Sequence, residues 1–366
     1  MYKKLNSLFK MNFLCKFLFF ITIVFTFGCT NGYDKKPNPN SFGGTLRINE
    51  RSKIISLFPH SINDIVSSHI ISQLYDGLVK FNAYDLSVKP AIADTWEIDS
   101  TETVYKFYLN TNVFFHDNEC FSDGIGRKVT ANDFVYTFTL LATKNENNQN
   151  FFGTIDKVIG ATDHYYSDKN NNTEKNITGI RAENDTVLVI CLEKPNPLFL
   201  YLLASPAAAV IPREAFEKDG YKSFVGTGPF YINKYPKENE TLALIRNPNY
   251  YQKDNSNNYL PYLDTIIINF NNSSKTELQM LSEGKLDLLY NVDNSNVTLY
   301  LEKNLHQFKG NKPQLVLQMS NLSNNVQLQH IIKRNLKGFI TNSQNYYDLS
   351  KVYYEPEKKD SLIVKK

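Results

Sequence analysis

The apolar positions of the chain switch between the period of a strand and the period of a helix. Residues 45–48 predict a short buried strand, and residues 105–109 alternate as a second strand. Between them, apolar residues at helical spacing through 62–78 predict an amphipathic helix that ends near Gly77. This order of strand, helix and strand is typical of an α/β protein.

A second helix and a further strand are predicted in the next part of the chain. Thr130 is expected to be the N-cap of a helix over 131–144, with Asp133 completing an imperfect capping box. Residues 186–192 predict a strand that ends before Pro195. Mixed elements in this order favour α/β lobes over a helical bundle or a β-sandwich. Asn-rich tracts predict exposed loops at 145–150, 170–176, 255–258 and 271–274.

The most specific pattern is the segment 225–251, which reads VGTGPFYINKYPKENETLALIRNPNYY. Gly226 and Gly228 mark a place where the backbone turns tightly or approaches a neighbour closely. A β-hairpin is predicted after them, with a polar turn at 237–239 and an end at Pro248. The residues that alternate across this hairpin are Phe230, Ile232, Leu242, Leu244 and Arg246.

The segment resembles the GTGPF…L.RNP.YY stretch of the extracellular solute-binding proteins, family 5. This family includes the dipeptide- and oligopeptide-binding subunits of bacterial ABC transporters. Further stretches that resemble the family occur in the same order, at 45–81, 89–109, 113–138, 192–216 and 261–289. The resemblance covers most of residues 43–289 and fades after them.

The resemblance implies a class II fold like that of the periplasmic binding proteins, with two lobes that are discontinuous in sequence. Residues 43–78 would begin the first lobe, 79–221 would form an inserted α/β domain, and 222–312 would return to the first lobe. Residues 313–366 would be the truncated start of the second lobe. Family members continue well past this point, and we therefore interpret the chain as truncated relative to them.

The last part of the chain contains little predicted structure. One strand, LVLQM, and one helix-like stretch at 326–339 are expected in residues 314–366. In typical members the second lobe carries the acidic residue that receives a peptide's N-terminal ammonium group, and nothing here resembles it. The resemblance therefore leaves open whether this chain captures peptides alone.

Residues 1–28 have the layout of a signal peptide. Residues 1–16 hold four lysines and no acid, and residues 17–27 are apolar apart from two threonines. The apolar run is too short for a permanent membrane-spanning helix. Export from the cytoplasm is predicted.

Cys29 follows the small residue Gly28 directly, which predicts a lipoprotein cleavage site with Cys29 as the acylated first residue. Thr26 and Phe27 depart from the usual lipobox, so ordinary cleavage or a buried cysteine stays an alternative. Residues 29–42 lack apolar periodicity and predict a flexible tether.

Charge argues against nucleic acid as a partner. Removing residues 1–28 takes away four of the 40 basic residues and none of the 37 acidic ones, which leaves a mature net charge of −1. No basic stripe with interleaved aromatic residues remains. Cys15 leaves with the signal peptide, and Cys120 and Cys191 form either a disulfide or two separate thiols.

The resemblance places Ile62, Asn63, Asp64 and Ile65 at the ligand-facing wall of the cleft. The alternative is a helix start with Asn63 or Asp64 as its cap. Tyr75 matches an aromatic or apolar position near the hinge, and its alternative is a packed helix residue with a hydrated hydroxyl group.

Neither a metal site, a cofactor nor a catalytic centre is predicted. The six histidines form no close cluster, and His116 with Asp117 lies in a loop of the family pattern, where a solvated or loop-stabilising role is expected. No nucleophile motif supports the exported-hydrolase alternative.

The resemblance implies a monomeric, lipid-anchored, extracytoplasmic binding protein. It would present peptides or similar small solutes to an ABC permease in the membrane. The alternative is a degenerate family member that acts at most as an interaction module.

Overall fold

The computed structural model describes most of the chain between residues 43 and 354. The ranges are 43–167, 177–237 and 241–290, then residue 302, 315–322, 325–333, 336–337 and 348–354. Several predictions lie outside these residues: the signal peptide at 1–28, the lipidated Cys29, the tether at 29–42, the loop at 170–176 and residues 238–239 of the predicted hairpin turn.

Strands and helices alternate within the described part of the chain. The strands are β1 (Thr45–Glu50), β2 (Val79–Phe81), β3 (Val88–Pro90), β4 (Ala93–Ile98), β5 (Val104–Leu109), β6 (Ile180–Asn184), β7 (Val187–Cys191), β8 (Phe230–Tyr231), β9 (Leu242–Arg246), β10 (Thr265–Phe270), β11 (Leu288–Tyr290), β12 (Leu315–Leu322), β13 (Asn325–Lys333), β14 (Leu336–Lys337) and β15 (Tyr353–Tyr354). The α-helices are α1 (Ile65–Leu74), α2 (Ala131–Leu141), α3 (Ala161–Tyr165), α4 (Phe199–Leu203), α5 (Arg213–Asp219) and α6 (Ser274–Ser282). Short 3-10 helices lie at Pro59–Ser61, Pro206–Ala208, Gly220–Lys222 and Leu349–Lys351.

The first sheet has the strand order β1-β10-β9-β8. β1 pairs in parallel with β10, with Thr45 opposite Thr265, although the two strands come from distant parts of the chain. β10 and β8 both pair antiparallel with β9, and Phe230 lies opposite Arg246. The antiparallel β8–β9 pairing confirms the hairpin predicted from the alternation of apolar residues.

The first core packs α1 against the first sheet. Its buried residues include Leu46, Ile70, Leu74, Phe230, Leu244 and Ile266. Leu349 and Val352 belong to the same core, and Tyr262 donates its backbone N–H to the carbonyl oxygen of Ser350 at 3.1 Å. Residues 348–352 were predicted to belong to the start of a second lobe; Leu349 and Val352 pack in the first core, and the domain boundaries stay a prediction.

The second sheet has the order β4-β5-β7-β6, and all its strand pairs are antiparallel. Helix α2 packs on β6 and β7. The second core contains Phe107 from β5, Phe134 and Phe138 from α2, and Leu188 from β7, all with no exposed side-chain surface. Every strand of this sheet lies between β1 and β8 in sequence, which is why its core is separate from the first.

Both predicted helices are present but shorter than expected. Helix α1 begins after Asp64, whose carboxylate accepts a hydrogen bond from the N–H of Ser67 at 2.8 Å. It ends at Leu74 because Tyr75 is already extended, with φ −132° and ψ 152°. The Asp133 carboxylate accepts hydrogen bonds from the backbone N–H and the hydroxyl group of Thr130, as the predicted capping box required.

The end of α2 explains a difference in the asparagine loop, by which we mean residues 145–150. The sequence predicted an exposed loop there, but Asn148 is buried. Its amide donates to the carbonyl oxygens of Leu140, Leu141 and Thr143, at the C-terminal end of α2. Carbonyls at a helix C-terminus lack the usual i+4 donor, and the buried Asn148 amide supplies donors beside the Thr143 N–H, which also binds Leu140.

The predicted helix-like stretch at 326–339 is wrong. β13 lies between β11 and β12 and pairs antiparallel with both. Val326 and Leu328 alternate with Gln327 and Gln329, which is the period of a strand. Both edges of β13 find backbone partners, and this nonlocal pairing overrides the local pattern.

Candidate functional site

The predicted ligand wall at residues 62–65 is an extended segment between two helices. It follows the 3-10 helix Pro59–Ser61 and leads into α1. Ile62 has φ −63° and ψ 124°, and Asp64 has φ −142° and ψ 159°, so both are extended. Asp64 caps α1, while Asn63 does not. The structure therefore supports the capping alternative for Asp64 and leaves the ligand role of the segment untested.

The main chain of this segment has one engaged side and one open side. Ile62 donates its N–H to the carbonyl of Pro59 at 3.3 Å and accepts from the Asn150 amide at 2.8 Å. Within the described residues, the N–H and C=O of Asn63 form no hydrogen bond. Neighbouring residues of an extended chain point these groups to opposite sides. We therefore expect the N–H and C=O of Asn63 to point away from the asparagine side chain that binds Ile62.

Apolar side chains flank the open side. Ile65 is 60% exposed and Ile55 is 63% exposed, which is unusual for side chains of this size. The Ser67 hydroxyl accepts hydrogen bonds from the N–H groups of Ile55 and Ser56, both at 3.3 Å, and so holds residues 55–56 beside the first turn of α1. An exposed polar backbone edge and apolar surface thus occur together.

Tyr75 lies elsewhere, inside the fold. It is 3% exposed, and its hydroxyl donates to the carbonyl oxygen of Ser223 at 3.4 Å. Burial raises the pKa of this hydroxyl above its usual value. The structure therefore brings Ile62, Asn63, Asp64 and Ile65 together but separates Tyr75 from their open side.

Tyr75 packs against the glycine crossing, by which we mean residues 226–228. A Cβ atom on Gly226 would overlap the carbonyl oxygen of Leu74 and lie 2.7 Å from the Tyr75 ring. A Cβ atom on Gly228 would lie 2.5 Å from the carbonyl oxygen of Gln73. The Gly228 N–H donates to Leu74 at 2.9 Å. Both positions are glycine because two backbones approach each other closely here. Of the two predicted alternatives, a tight turn or a close approach, the structure supports the close approach.

His116 binds the other side of the glycine crossing. Its backbone N–H donates to the Gly226 carbonyl at 2.8 Å, and its Nδ1 accepts from the Gly226 N–H at 3.3 Å. Because Nδ1 accepts, Nε2 carries the proton and donates to Gly228 at 2.9 Å. Burial lowers the pKa of His116 to about 4. The loop-stabilising role expected for this residue is confirmed, and the solvated one is wrong.

A small polar pocket beside the glycine crossing was not predicted from the sequence. It is lined by Asp76, Lys80 and Asp348 among others. Asp76 Oδ1 lies 3.9 Å from Lys80 Nζ, and the Tyr250 hydroxyl lies 3.3 Å from the same nitrogen. Burial raises the pKa of Asp76. Partial burial and repulsion by Lys80 lower the pKa of Lys89 to about 8. The sequence signal for this pocket was the presence of Asp76 and Lys80 in the largely apolar segment QLYDGLVK.

Three further features of the described part of the chain concern disulfides, metal sites and membrane-spanning helices. Cys120 and Cys191 are free thiols rather than a disulfide. No group of three or more metal-ligating side chains occurs among the described residues. The same residues include no helix that is long and apolar enough to span a membrane.

Comparison with known proteins identifies the family. The profile described as "Bacterial extracellular solute-binding proteins, family 5 Middle" matches residues 87–336. The periplasmic oligopeptide-binding protein OppA of Salmonella typhimurium is 28% identical over 252 residues, which cover 68% of this chain and 43% of that protein. The chain therefore spans less than half the length of this relative.

Solved structures show the same fold. The periplasmic binding protein DppA of Helicobacter pylori, solved with the peptide STSA, matches with a TM-score of 0.61 at 22% identity over 76% of this chain and 51% of that one. The oligopeptide-binding protein OppAIV of Borrelia burgdorferi matches with a TM-score of 0.59 at 26% identity, over 71% and 49%. These matches confirm the predicted α/β, class II periplasmic-binding-protein-like fold. The chain belongs to the bacterial extracellular solute-binding proteins of family 5, which bind solutes and are not enzymes.

Proposed function

We propose that this chain captures peptides or similar small solutes outside the cytoplasm for an ABC-type importer. Family membership and relatives named for peptide binding support the proposal. The single observation that carries it is the open main chain of Asn63 in the extended segment 62–64.

An extended peptide pairs with such an edge through its own backbone, so the interaction does not depend on the peptide's side chains. Ile62, Asn63, Asp64 and Ile65 are the proposed ligand-binding residues, with Asn63 exchanging hydrogen bonds with the peptide. The exposed Ile65 offers apolar contact beside them. Ligand contact by Tyr75 stays a prediction, and its buried hydroxyl supports the packing alternative.

Capture for import also needs an enclosed ligand and a permease. We propose that a monomer binds ligand between lobes and presents the ligand-bound form to the ABC permease, since a ligand that contacts both lobes favours the closed state. The sequence-derived domain boundaries, 43–78, 79–221, 222–312 and 313–366, stay part of this proposal.

Lipid anchoring through Cys29 is proposed from the signal-peptide layout and the tether at 29–42. Anchoring would keep the protein close to its permease at a high effective concentration. The test is fractionation of cells that express the natural chain or Cys29→Ala, together with labelling by radioactive palmitate. A wild-type chain that takes up no label and leaves the membrane fraction on washing would refute the anchor.

The proposed capture is tested by thermal unfolding of residues 30–366 with and without an equimolar mixture of di- to pentapeptides. Ligand that binds only the folded state raises the midpoint as its concentration rises. A cooperative transition that moves upward with peptide supports capture. A cooperative transition that does not move contradicts it.

A second candidate is a family member without ligand capture that acts at most as an interaction module. The chain spans 43% of one peptide-binding relative and 51% of one solved structure, so capture by this chain is put forward as a proposal. The same unfolding experiment separates the two candidates.

A further inference from the structure

The asparagine loop contacts the main chain that leads into the proposed binding segment. We infer that Asn150 is a positioning residue, which fixes the backbone of residues 60–62 so that Asn63 faces a peptide ligand. This inference rests on the proposed function and adds a residue outside the predicted ligand wall.

The Asn150 amide bridges two backbone carbonyls. Its Nδ2 donates to His60 at 2.9 Å and to Ile62 at 2.8 Å, so both amide hydrogens are used. Both partners are acceptors, and a flipped amide would place oxygen against oxygen. The bridge ties the 3-10 helix Pro59–Ser61 to Ile62, the extended residue that directly follows it. It therefore fixes the direction in which the backbone enters Asn63.

Neighbouring contacts strengthen this arrangement. The Gln149 N–H donates to the His60 carbonyl at 3.0 Å, and the Ser61 hydroxyl donates to the Asn147 carbonyl at 2.5 Å. The Asn63 side chain donates to the Gln149 side chain at 3.2 Å. The side chain of Asn63 is thus held against the asparagine loop, while its main chain stays open.

The asparagine loop is itself anchored on both sides of Asn150. Asn148 is buried and binds the last turn of α2. Phe151 is 1% exposed, and its ring stacks on Tyr165 with centroids 4.3 Å apart and an interplanar angle of 5°. Asn150 therefore projects from a supported backbone, which is what preorganisation of a binding segment requires.

The test compares Asn150→Ala with Asn147→Ala in the chain from residue 30 to 366. Among the residues that the structure describes, the Asn147 side chain bonds only to Asn145 in the same loop, and the contact from Ser61 uses the Asn147 backbone carbonyl. Apparent affinity for the mixture of di- to pentapeptides is measured from the ligand dependence of the unfolding midpoint. Hydrogen exchange of residues 60–64 and of the Gln149 amide is measured without peptide.

For Asn150→Ala we expect affinity to fall about tenfold, and exchange in residues 60–64 to rise. Asn147→Ala is expected to stay within about twofold of wild type, since it loses no contact with the segment. Equal affinity of the two variants overturns the inference and leaves the proposed function standing. A wild-type chain whose midpoint does not respond to peptide overturns the proposed function itself.

Discussion

Two of the contacts that link the two halves of the described structure differ in character. At the glycine crossing, buried backbone packs on buried backbone, and His116 satisfies the groups between them. At the asparagine loop, the half-buried amide of Asn150 binds the backbone carbonyls of His60 and Ile62, next to the exposed Asn63. Water can replace a lost partner at the loop but not in the crossing. We therefore assign stability mainly to the crossing and ligand geometry mainly to the loop.

The largest expected effect comes from adding a side chain within the crossing. Gly226→Ala is expected to destabilise the fold by more than about 4 kcal/mol, because its Cβ would overlap the Leu74 carbonyl. The measurement is urea unfolding. Gly153→Ala is the control, since Gly153 has φ +83° but no atom near its Cβ, and we expect a cost of about 1 kcal/mol. Similar losses for both variants would show that the crossing is not tightly packed.

The next largest effect is expected at His116. His116→Leu leaves the buried Gly226 N–H without its acceptor, which costs about 2–3 kcal/mol in urea unfolding at pH 7. His60→Phe is the matched control, because His60 is buried but its ring nitrogens have no hydrogen-bond partner among the described residues. Equal destabilisation by the two changes would contradict the hydrogen-bonding role given to His116.

Lowering the pH tests whether His60 and His116 are buried in the neutral form. Burial lowers the pKa of His60 to about 3, and that of His116 to about 4, against about 6.5 in an unfolded chain. Between pH 6.5 and 4 the unfolded state binds protons that the folded state excludes, so stability falls as pH falls.

His60→Phe should remove up to about 1.4 kcal/mol of this loss per pH unit below 6.5. The change in unfolding free energy from pH 7 to pH 4.5 is compared between this variant and wild type. Any difference in packing is independent of pH and cancels in that comparison. Parallel curves for the two proteins would rule out a neutral, buried His60.

The smallest effect on stability is expected at the loop. Asn150→Ala should lower the free energy of unfolding by about 1 kcal/mol or less, because the His60 carbonyl keeps the Gln149 N–H as a donor and water can solvate the half-buried Ile62. Urea unfolding beside Asn147→Ala checks this. If Asn150→Ala lowered the free energy of unfolding as much as His116→Leu, the loop would contribute to stability as strongly as the crossing, which would contradict the assignment above.

Local signals predicted a good part of the fold. The Asp64 carboxylate cap, the Thr130–Asp133 capping box and the β8–β9 hairpin all depend on residues close in sequence, and all are present. The glycine crossing was also predicted as a place of close approach, since two glycines bracketing one residue are informative without knowledge of the partner.

Features that depend on distant partners were not predicted. β13 is a strand because β11 and β12 border it. Asn148 is buried because α2 ends beside it, and the Asp76 pocket needs Asp348 from the far end of the chain. For the candidate site, sequence resemblance gave Ile62 to Ile65, but only the structure shows that the Asn63 backbone is open and that Asn150 binds the carbonyls of His60 and Ile62.

The most direct test of the proposed peptide edge is binding by Asn63→Pro beside Asn63→Ala, measured as the midpoint shift with the di- to pentapeptide mixture. Proline removes the open N–H, and Ile62 already has the extended conformation that a residue before proline adopts. Alanine keeps the N–H and removes only the side-chain contact with Gln149. We predict that Asn63→Pro unfolds cooperatively but loses at least about tenfold in affinity, while Asn63→Ala binds nearly as wild type. Undiminished binding by a folded Asn63→Pro would contradict backbone pairing at this edge.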